Sequence, residues 1–253
     1  MNTINDLKSK MAVIKHTWHQ GTRPGNDGEP GNTLEDLLGV AENNLKLPDF
    51  GGLVELKTHG FEGGSLLTLI HREPEPGRVV PKLLKSMGWG HQEAGREKPA
   101  DEMSFRSTTY GHGFSARGFK IAIDDDNLEF IYEPSEVSRS QSDVTGNYNT
   151  YGDWADAIEE RRPHYSEHFP VYYNKEYILE ECFGKLDTTF LTFYKKRGPK
   201  GNRFYWYQEG FIGRGLRREM FDVLINEGAL FLDFDARTGH NHGTKLRVKK
   251  SDL

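Results

Sequence analysis

The spacing of apolar residues near the start of the chain predicts two helices joined by a loop. Residues 3–16 place apolar side chains three and four positions apart, as one face of a helix requires. Gly, Pro, Asn and Asp dominate residues 21–31 and predict a loop. We expect the second helix to begin at 32–33, because Asp36 is placed to complete a capping box with Thr33 and apolar residues follow at helical spacing.

Segments in which apolar and polar residues alternate predict strands. The first is 53–58, and 65–70 is expected to form its neighbour. Residues 119–123 and 128–132 flank a run of three aspartates and an asparagine at 124–127, which is typical of a β-hairpin. We interpret the aspartates as turn residues at the hairpin tip, with a metal site as the alternative.

The C-terminal third continues the mixture of strands and helices. Residues 188–195 and 203–208 predict a second hairpin around the basic turn 196–202. The other predicted elements are a short helix at about 154–161, a helix at about 215–227, and the strands 229–235 and 244–249 on either side of a loop at 237–243. Together these elements predict an α/β fold of the α+β kind, built on a mixed sheet.

Composition supports a folded protein. The chain has 253 residues, of which 35% are hydrophobic and 28% charged, so it can bury the core of one substantial domain or of two lobes. No apolar run approaches the roughly 20 residues of a membrane span, and the polar N-terminus lacks a signal-peptide core. Cys182 is the single cysteine, which excludes an intrachain disulfide framework and a cysteine-rich zinc site. We expect a cytoplasmic protein without a membrane partner.

Charge is unevenly distributed along the chain. The net charge is −5, which by itself argues against a nucleic-acid partner. From residue 190 onward, however, 13 Lys and Arg stand against 7 Asp and Glu, whereas the first 189 residues carry 20 and 31. This asymmetry would suit metal ligands in one part and phosphate contacts in the other, but an ordinary solvated surface explains it equally well.

Candidate catalytic residues lie in and before the strand predicted at 53–58. Asp49 occupies a turn, and Glu55 and Lys57 are two residues apart, so both point to one face of the strand. Two carboxylates and an amine that converge can bind Mg²⁺ and place a water beside a phosphodiester, because hard oxygen ligands suit this ion. Lys57 would orient or deprotonate that water, or neutralise charge in the transition state. The pattern is common, however, and by itself favours a turn Asp followed by a half-exposed strand with solvated charges.

Two further features favour the catalytic interpretation. Val54 and Leu56 alternate with the charged pair, so the strand has a distinct charged face, and Glu35 in the preceding helix could add another carboxylate. The chain also carries a series of motifs: Gly31-Asn32-Thr33-Leu34-Glu35 with Leu37-Leu38-Gly39, Pro48-Asp49-Phe50, Glu55-Leu56-Lys57-Thr58, Arg117-Gly118-Phe119, and Asp235-Ala236-Arg237-Thr238-Gly239-His240-Asn241-His242-Gly243-Thr244-Lys245-Leu246-Arg247. In this combination the chain resembles the MvaI/BcnI restriction endonucleases, which are relatives of the mismatch-repair nickase MutH.

The resemblance implies a PD-(D/E)XK, MutH-like nuclease fold with two lobes around a DNA-binding cleft. The whole chain, 1–253, would form a single bilobed nuclease domain. Its catalytic lobe would span about 1–130 and its DNA-recognition region about 185–253, whereas the middle, about 134–185, matches no known motif.

The resemblance also assigns an active site position by position. Glu35, Asp49, Glu55 and Lys57 match the active-site residues of the family. We expect Asp49, Glu55 and the backbone carbonyl of Leu56 to bind the Mg²⁺ cofactor.

Residues 235–247 are the candidate DNA-recognition segment. Arg can donate two hydrogen bonds to guanine, Asp can accept one from cytosine, and a neutral His can serve either way, so the segment suits a G·C-rich site read from the major groove. Gly239 and Gly243 permit a tight loop that approaches DNA closely. The candidate DNA-contacting residues in this segment are Asp235, Arg237, His240, Asn241, His242, Lys245 and Arg247.

Other interpretations of this segment stay open. A zinc site at His240 and His242 would lack two further nearby ligands, and a purely structural loop is the remaining alternative. The letters His-Asn-His do not indicate an HNH nuclease, whose named residues are dispersed over its fold. A further DNA contact is expected from Arg117, which the resemblance includes. Lys196 and Arg197 in the basic turn are expected to contact DNA phosphates without reading the base sequence.

These observations predict a type II restriction endonuclease that hydrolyses double-stranded DNA with Mg²⁺ and leaves 5′-phosphate and 3′-hydroxyl ends. The resemblance implies a monomer and a short pseudo-palindromic site related to CC-N-GG, and with them a companion DNA methyltransferase that acts on the same site. Two alternatives stay open: a MutH-like strand-specific nicking endonuclease, and a catalytically silent DNA-binding protein. The intact Asp49, Glu55 and Lys57 speak against the silent protein.

Overall fold

A computed structural model describes residues 3–25, 28–41, 47–62, 66–161, 170–214 and 218–249, without the side chains of 182 and 183. The α-helices in these residues are α1 (Ile4–Ile14), α2 (Glu29–Leu38), α3 (Val79–Met87), α4 (Tyr151–Arg161), α5 (Lys175–Leu186) and α6 (Phe221–Asn226). The strands are β1 (Trp18–Gln20), β2 (Glu55–Gly60), β3 (Leu67–His71), β4 (Trp89–Gly90), β5 (Met103–Thr109), β6 (Arg117–Ile123), β7 (Asn127–Val137), β8 (Tyr172–Asn174), β9 (Thr188–Arg197), β10 (Phe204–Tyr207), β11 (Phe211–Arg214), β12 (Leu230–Arg237) and β13 (His240–Val248). The predicted mixture of helices and strands is confirmed.

The chain divides into two compact units, and each is discontinuous in sequence. The first comprises 1–67 and 179–218, and the second comprises 68–178 and 219–253. This division differs from the contiguous lobes expected from the sequence. The physical reason is long-range strand pairing, because each unit joins strands from both halves of the chain into one sheet.

The first unit is built on a five-stranded sheet. Its order is β1-β10-β9-β11, and β2 pairs with β9 in parallel, with Glu55 opposite Thr189. The predicted hairpin of β9 and β10 is confirmed. One face of the sheet packs with α1 and α2 around a buried core that includes Leu7, Met11, Leu34, Leu38, Leu56, Phe190, Tyr205 and Tyr207.

Helix α2 begins three residues earlier than expected. It starts at Glu29, followed by Pro30, and proline suits the first turn because it has no N–H to satisfy and a helical φ. The capping box expected at Thr33 is wrong: its hydroxyl donates to the Glu29 carbonyl at 2.7 Å. The Asp36 carboxylate instead accepts a hydrogen bond from Arg23 Nε at 3.1 Å.

The second unit contains two sheets whose aromatic side chains pack together. One sheet has the order β3-β13-β12-β5-β4 and the other the order β6-β7-β8. The ring centroids of Phe119 and Phe130 are 5.0 Å apart, and those of Phe130 and Phe234 are 5.1 Å apart. Phe105 and Trp154 also contact Phe119, each at 5.6 Å. These rings join the two sheets and α4 into one core.

The predicted hairpin of β6 and β7 is confirmed, and its aspartates serve the turn. Asp124 Oδ1 accepts hydrogen bonds from the backbone N–H groups of Asn127 at 2.7 Å and Asp126 at 2.8 Å. Because these two bonds, that of Asn127 first, stabilise the charged carboxylate, they lower the pKa of Asp124. The turn interpretation of the acidic run therefore holds.

The loop predicted between the last two strands is shorter in the structure. β12 ends at Arg237 and β13 begins at His240, so a two-residue turn joins them. Gly239 in this turn has a φ of 69°, a conformation that favours glycine. The candidates His240, Asn241 and His242 therefore belong to a strand.

The helix predicted at 215–227 is also shorter. A single 3₁₀ turn, Arg218–Met220, precedes α6, and 215–217 lie outside the described residues. Of the predicted strand 65–70, residue 65 likewise lies outside them, and 67–70 belong to β3. The expectation that this strand neighbours the one at 53–58 is wrong, because β3 pairs with β13 whereas β2 pairs with β9 in a different sheet. Among the described helices, none is long and apolar enough to cross a membrane.

Candidate active site and DNA-recognition face

The alternation predicted for β2 brings Glu55 and Lys57 to one face of the first sheet. Leu56 between them is buried in the core with the α-helices, so its neighbours point to the opposite face. Glu55 is only 3% exposed, and Lys57 Nζ donates to its Oε1 at 2.7 Å. The two candidate catalytic side chains therefore form one ion pair at the start of the strand.

A tight turn brings Asp49 to the same strand. Phe50 and Val54 form a bridge that closes the turn, and Gly51 and Gly52 between them have φ values of 64° and 69°. Glycine is favoured at both positions because other residues rarely adopt a positive φ. Asp49 Oδ2 accepts a hydrogen bond from the Leu56 backbone N–H at 3.0 Å, which holds its carboxylate beside β2.

Burial raises the pKa of the Glu55 carboxyl, and the nearby charge of Asp49 adds to this effect, while Lys57 and Lys185 oppose it. Glu55 Oε2 is buried and has no hydrogen-bond partner among the described residues. Lys185 on α5 places a second cation near this oxygen, with Nζ at 4.0 Å. Sequence reasoning missed Lys185, because nothing in the local pattern of α5 links it to a residue 130 positions earlier.

The donor set at this point fits a hard divalent cation. The free Oε2 of Glu55 and the carboxylate of Asp49 are anionic oxygens, the ligands that Mg²⁺ prefers. In the described part of the chain no three His, Cys, Asp or Glu side chains are grouped to hold a metal. A magnesium shell would therefore be completed by the Leu56 carbonyl, by water and by phosphate oxygens, since Mg²⁺ usually keeps several waters.

Glu35 lies on α2, whose Leu34 and Leu38 are buried in the core, and its own side chain is half-buried. The charged groups that act on Glu55 are Lys57, Asp49 and Lys185. A catalytic part for Glu35 stays a prediction.

A second group of candidates lies on one face of the sheet β5-β12-β13, which we call the recognition face. Along β12 the side chains of Asp233, Asp235 and Arg237 alternate with the buried Phe234 and Ala236. Strand pairing brings residues from both neighbouring strands to the same face. The polar members of the recognition face are Ser104, Arg106, Thr108, Asp233, Asp235, Arg237, His240, Lys245 and Arg247.

Opposite charges alternate across the recognition face. Arg247 Nη1 lies 3.3 Å from Asp233 Oδ2, and Lys245 Nζ lies 3.6 Å from Asp235 Oδ2. Arg237 Nη1 donates to Oε1 of the buried Glu102 at 2.8 Å. Each predicted cation of this face is therefore held beside a carboxylate, which orders the side chains in the absence of a ligand.

The histidines of β13 are exposed, and His240 is directly opposite Arg237 in the pairing of β12 with β13. The ring centroids of His240 and His242 are 4.1 Å apart, and partial desolvation lowers the pKa of His242, which favours its neutral form. Asn241 is engaged locally: its Nδ2 donates to Glu73 Oε2 at 3.2 Å, and its Oδ1 accepts from the Gly243 N–H at 2.9 Å. Both amide atoms of Asn241 therefore already support the strand.

The structure does not place Arg117 where a DNA contact requires it. The residue is 5% exposed, and its Nη2 donates to the buried Asp143 at 2.7 Å. Its guanidinium also stacks on Trp89 and Trp154, with centroid distances of 3.8 and 4.7 Å. The interpretation of Arg117 as a DNA contact is corrected accordingly: the side chain belongs to the core of the second unit.

The basic turn between β9 and β10 belongs to the first unit, with Asp49 and Glu55. Arg197 lies over Trp18, 4.3 Å from the ring centroid, and is exposed. Lys196 is exposed too, but strand alternation directs it to the opposite face. The two residues therefore do not share one contact surface.

A family model and two solved structures are similar to this chain. The family model described as "MvaI/BcnI restriction endonuclease family" matches residues 8–253. A solved structure described as "Restriction endonuclease MvaI-cognate DNA substrate complex" is 22% identical, with a TM-score of 0.67 over 98% of this chain and 93% of that chain. A second, "Restriction endonuclease MvaI in the absence of DNA", is 19% identical, with a TM-score of 0.44 over 98% and 94%. No curated protein sequence matches the chain.

The family match covers nearly the whole chain, and the similarity to MvaI in its DNA complex confirms the mixed α/β nuclease fold. Restriction endonucleases generally use divalent metal ions, which agrees with the free oxygen of Glu55. The chain belongs to the MvaI/BcnI restriction endonuclease family and is a site-specific deoxyribonuclease of type II.

Proposed function

We propose that this enzyme hydrolyses both strands of duplex DNA with Mg²⁺, and that Asp49, Glu55 and Lys57 perform the reaction. The observation that carries the proposal is the buried Oε2 of Glu55, which has no hydrogen-bond partner among the described residues and lies in a carboxylate paired with Lys57. A buried carboxylate oxygen that accepts no hydrogen bond is costly, so a site that keeps one favours a cation as its ligand.

The roles of the side chains follow from their positions. Mg²⁺ would neutralise charge on the scissile phosphate and lower the pKa of water at the site. Glu55 and Asp49 would hold the ion, with the Leu56 carbonyl as a third ligand. Lys57 uses one of its three N–H donors on Glu55 Oε1, and the others are available to orient the attacking water or a phosphate oxygen.

Lys185 adds a second positive charge on the free side of the Glu55 carboxylate. We propose that it stabilises negative charge on the phosphate, because the attraction of a fixed cation increases as charge develops in the transition state. The products would carry 5′-phosphate and 3′-hydroxyl ends.

The recognition face supports sequence reading from the major groove. Its cations can donate to the two acceptors of guanine and its carboxylates can accept from cytosine, and the similar MvaI structure is described as a complex with cognate DNA. We propose a short pseudo-palindromic site related to CC-N-GG, read by a monomer. A companion DNA methyltransferase would protect the same site in the host.

Plasmid digestion tests this proposal. The enzyme is incubated with Mg²⁺, the products are separated, and their ends are sequenced, with Lys57→Ala as the inactive control. Discrete double-strand cuts at one short sequence support the proposal. Nicks confined to one strand, uncut DNA with a gel shift, or full activity in excess EDTA each contradict it.

A further inference from the structure

Strand β5 places an arginine on the recognition face that lies outside the sequence motifs. Arg106 is directly opposite Asp235 in the antiparallel pairing of β5 with β12, so both side chains point to the same face. The Arg106 side chain is 52% exposed, compared with 28% for Arg237, 20% for Arg247 and 17% for Lys245. Arg106 is therefore the most accessible cation among the described residues of this face.

The hydrogen bonding of Arg106 leaves its terminal nitrogens available. Its Nε donates to Asp235 Oδ1 at 2.8 Å, and the structure describes no other hydrogen bond of this guanidinium. Asp235 Oδ2 in turn lies 3.6 Å from Lys245 Nζ, which restrains the carboxylate from the other side. The Arg106 guanidinium is thus held through Nε, and the structure describes no hydrogen bond of Nη1 or Nη2.

The other arginines of the face differ in this respect. Arg237 uses Nη1 on the buried Glu102, and Arg247 has Nη1 beside Asp233 at 3.3 Å. A guanine offers two acceptors, O6 and N7, to a pair of N–H donors in the major groove, and a planar guanidinium matches them. Of the three arginines, Arg106 presents this pair most completely.

We infer that Arg106 reads a guanine of the recognition site and that Asp235 positions its guanidinium. The inference rests on the proposed reading of duplex DNA by this face. Fixing Nε before binding reduces the side-chain freedom lost when Nη1 and Nη2 meet the base. It also changes the expected role of Asp235, from a cytosine contact to a positioning residue for Arg106.

Binding measurements on substituted sites test the base contact. Once digestion has identified the site, each base pair is replaced in turn, and affinities are measured with Ca²⁺, which should permit binding without cleavage. Arg106→Ala should lower cognate affinity about tenfold or more and abolish discrimination at one G·C pair, with the other positions unchanged. Arg106→Lys should behave similarly, because a lysine keeps the charge but loses the two-pronged geometry.

Arg139→Ala provides the matched control. Arg139 belongs to the same unit, is 54% exposed and is bound to Asp156, but it does not lie on the recognition face. Its replacement should leave affinity and discrimination unchanged. If Arg106→Ala lowers affinity equally for every duplex, or not at all, the base contact is refuted, even when the wild-type enzyme discriminates its site. A wild-type enzyme that shows no site preference refutes the proposed function itself.

A double-mutant cycle tests the positioning role. Asp235→Asn should weaken discrimination at the same base pair as Arg106→Ala, and should add little in the Arg106→Ala background. Additive losses, or a loss at a second base pair, would mean that Asp235 contacts a base directly, which overturns the positioning half of the inference. Thermal unfolding of each variant identifies any general loss of folding.

Discussion

Replacement of Glu55 by glutamine is expected to abolish cleavage while making the metal-free protein more stable. Burial raises the pKa of the Glu55 carboxyl, which means that the folded protein favours its neutral form. Glutamine is neutral, has the same shape, and keeps an oxygen that can accept the hydrogen bond Lys57 donates to Oε1. The substitution therefore removes a buried charge without opening a cavity.

The size of the effect is that of a favourable single substitution at a buried site. Because the exchange removes a buried charge and keeps the shape of the side chain, Glu55→Gln should stabilise the metal-free protein by about 1 kcal/mol. For a domain of this size that raises Tm by about 2–4 °C. A divalent cation at 100 times its Kd stabilises the wild-type protein by about 2.7 kcal/mol, and Glu55→Gln should lose most of this gain.

The sign of the pH dependence provides an independent check. A carboxyl whose pKa is raised on folding contributes stability that is present below its unfolded pKa and is lost as the pH rises through its folded pKa. The advantage of Glu55→Gln should therefore appear at neutral pH and vanish toward about pH 4, near the unfolded value for Glu.

Thermal unfolding with EDTA and with Ca²⁺, at pH 7 and near pH 4.5, measures these quantities, alongside DNA cleavage with Mg²⁺. The reasoning is refuted if Glu55→Gln melts below the wild-type protein in EDTA at pH 7, or if it retains the full shift with Ca²⁺. A Glu62→Gln variant, which changes the same residue type elsewhere in the first unit, should show neither effect.

Three further predictions concern other charged residues. Lys57→Met should abolish cleavage and destabilise the protein by about 3 kcal/mol, since it leaves the Glu55 carboxylate buried without its partner; unchanged Tm in EDTA would contradict this. Arg117→Met should cost about 3–5 kcal/mol in unfolding experiments and leave sequence discrimination intact, whereas a selective loss of discrimination would restore a DNA contact. Arg197→Ala should weaken binding to all duplexes and should reduce the slope of log affinity against log salt concentration by about 1. Lys196→Ala, on the opposite face of the strand, should have a smaller effect in the same titrations.

Local patterns in the sequence were enough to predict the active-site strand. The positions of Glu55 and Lys57 relative to Leu56 follow from the two-residue period of a strand, which depends on backbone geometry alone. The hairpin of β6 and β7 could also be predicted locally, because a short turn connects its two strands. The resemblance to the family was carried by short motifs, each of which is contiguous in the chain.

Side-chain partners that are distant in sequence depended on tertiary structure. Arg117 was expected to contact DNA because the family resemblance includes it, but the fold surrounds it with Trp89, Trp154 and Asp143 and makes it a core residue. The start of α2 also escaped prediction, because a capping motif at Thr33 was a plausible local signal that the fold did not use.

The catalytic strand and the partners of its residues differ in the same way. The sequence by itself determined that Glu55 and Lys57 share one face, since these residues lie two positions apart on a single strand. Only the tertiary structure decided that Lys185 lies near Glu55 and that Arg106 lies against Asp235, 129 residues away. Register between distant strands is set by the packing of whole sheets, in which every pairing constrains the others, and no window of local sequence contains that information.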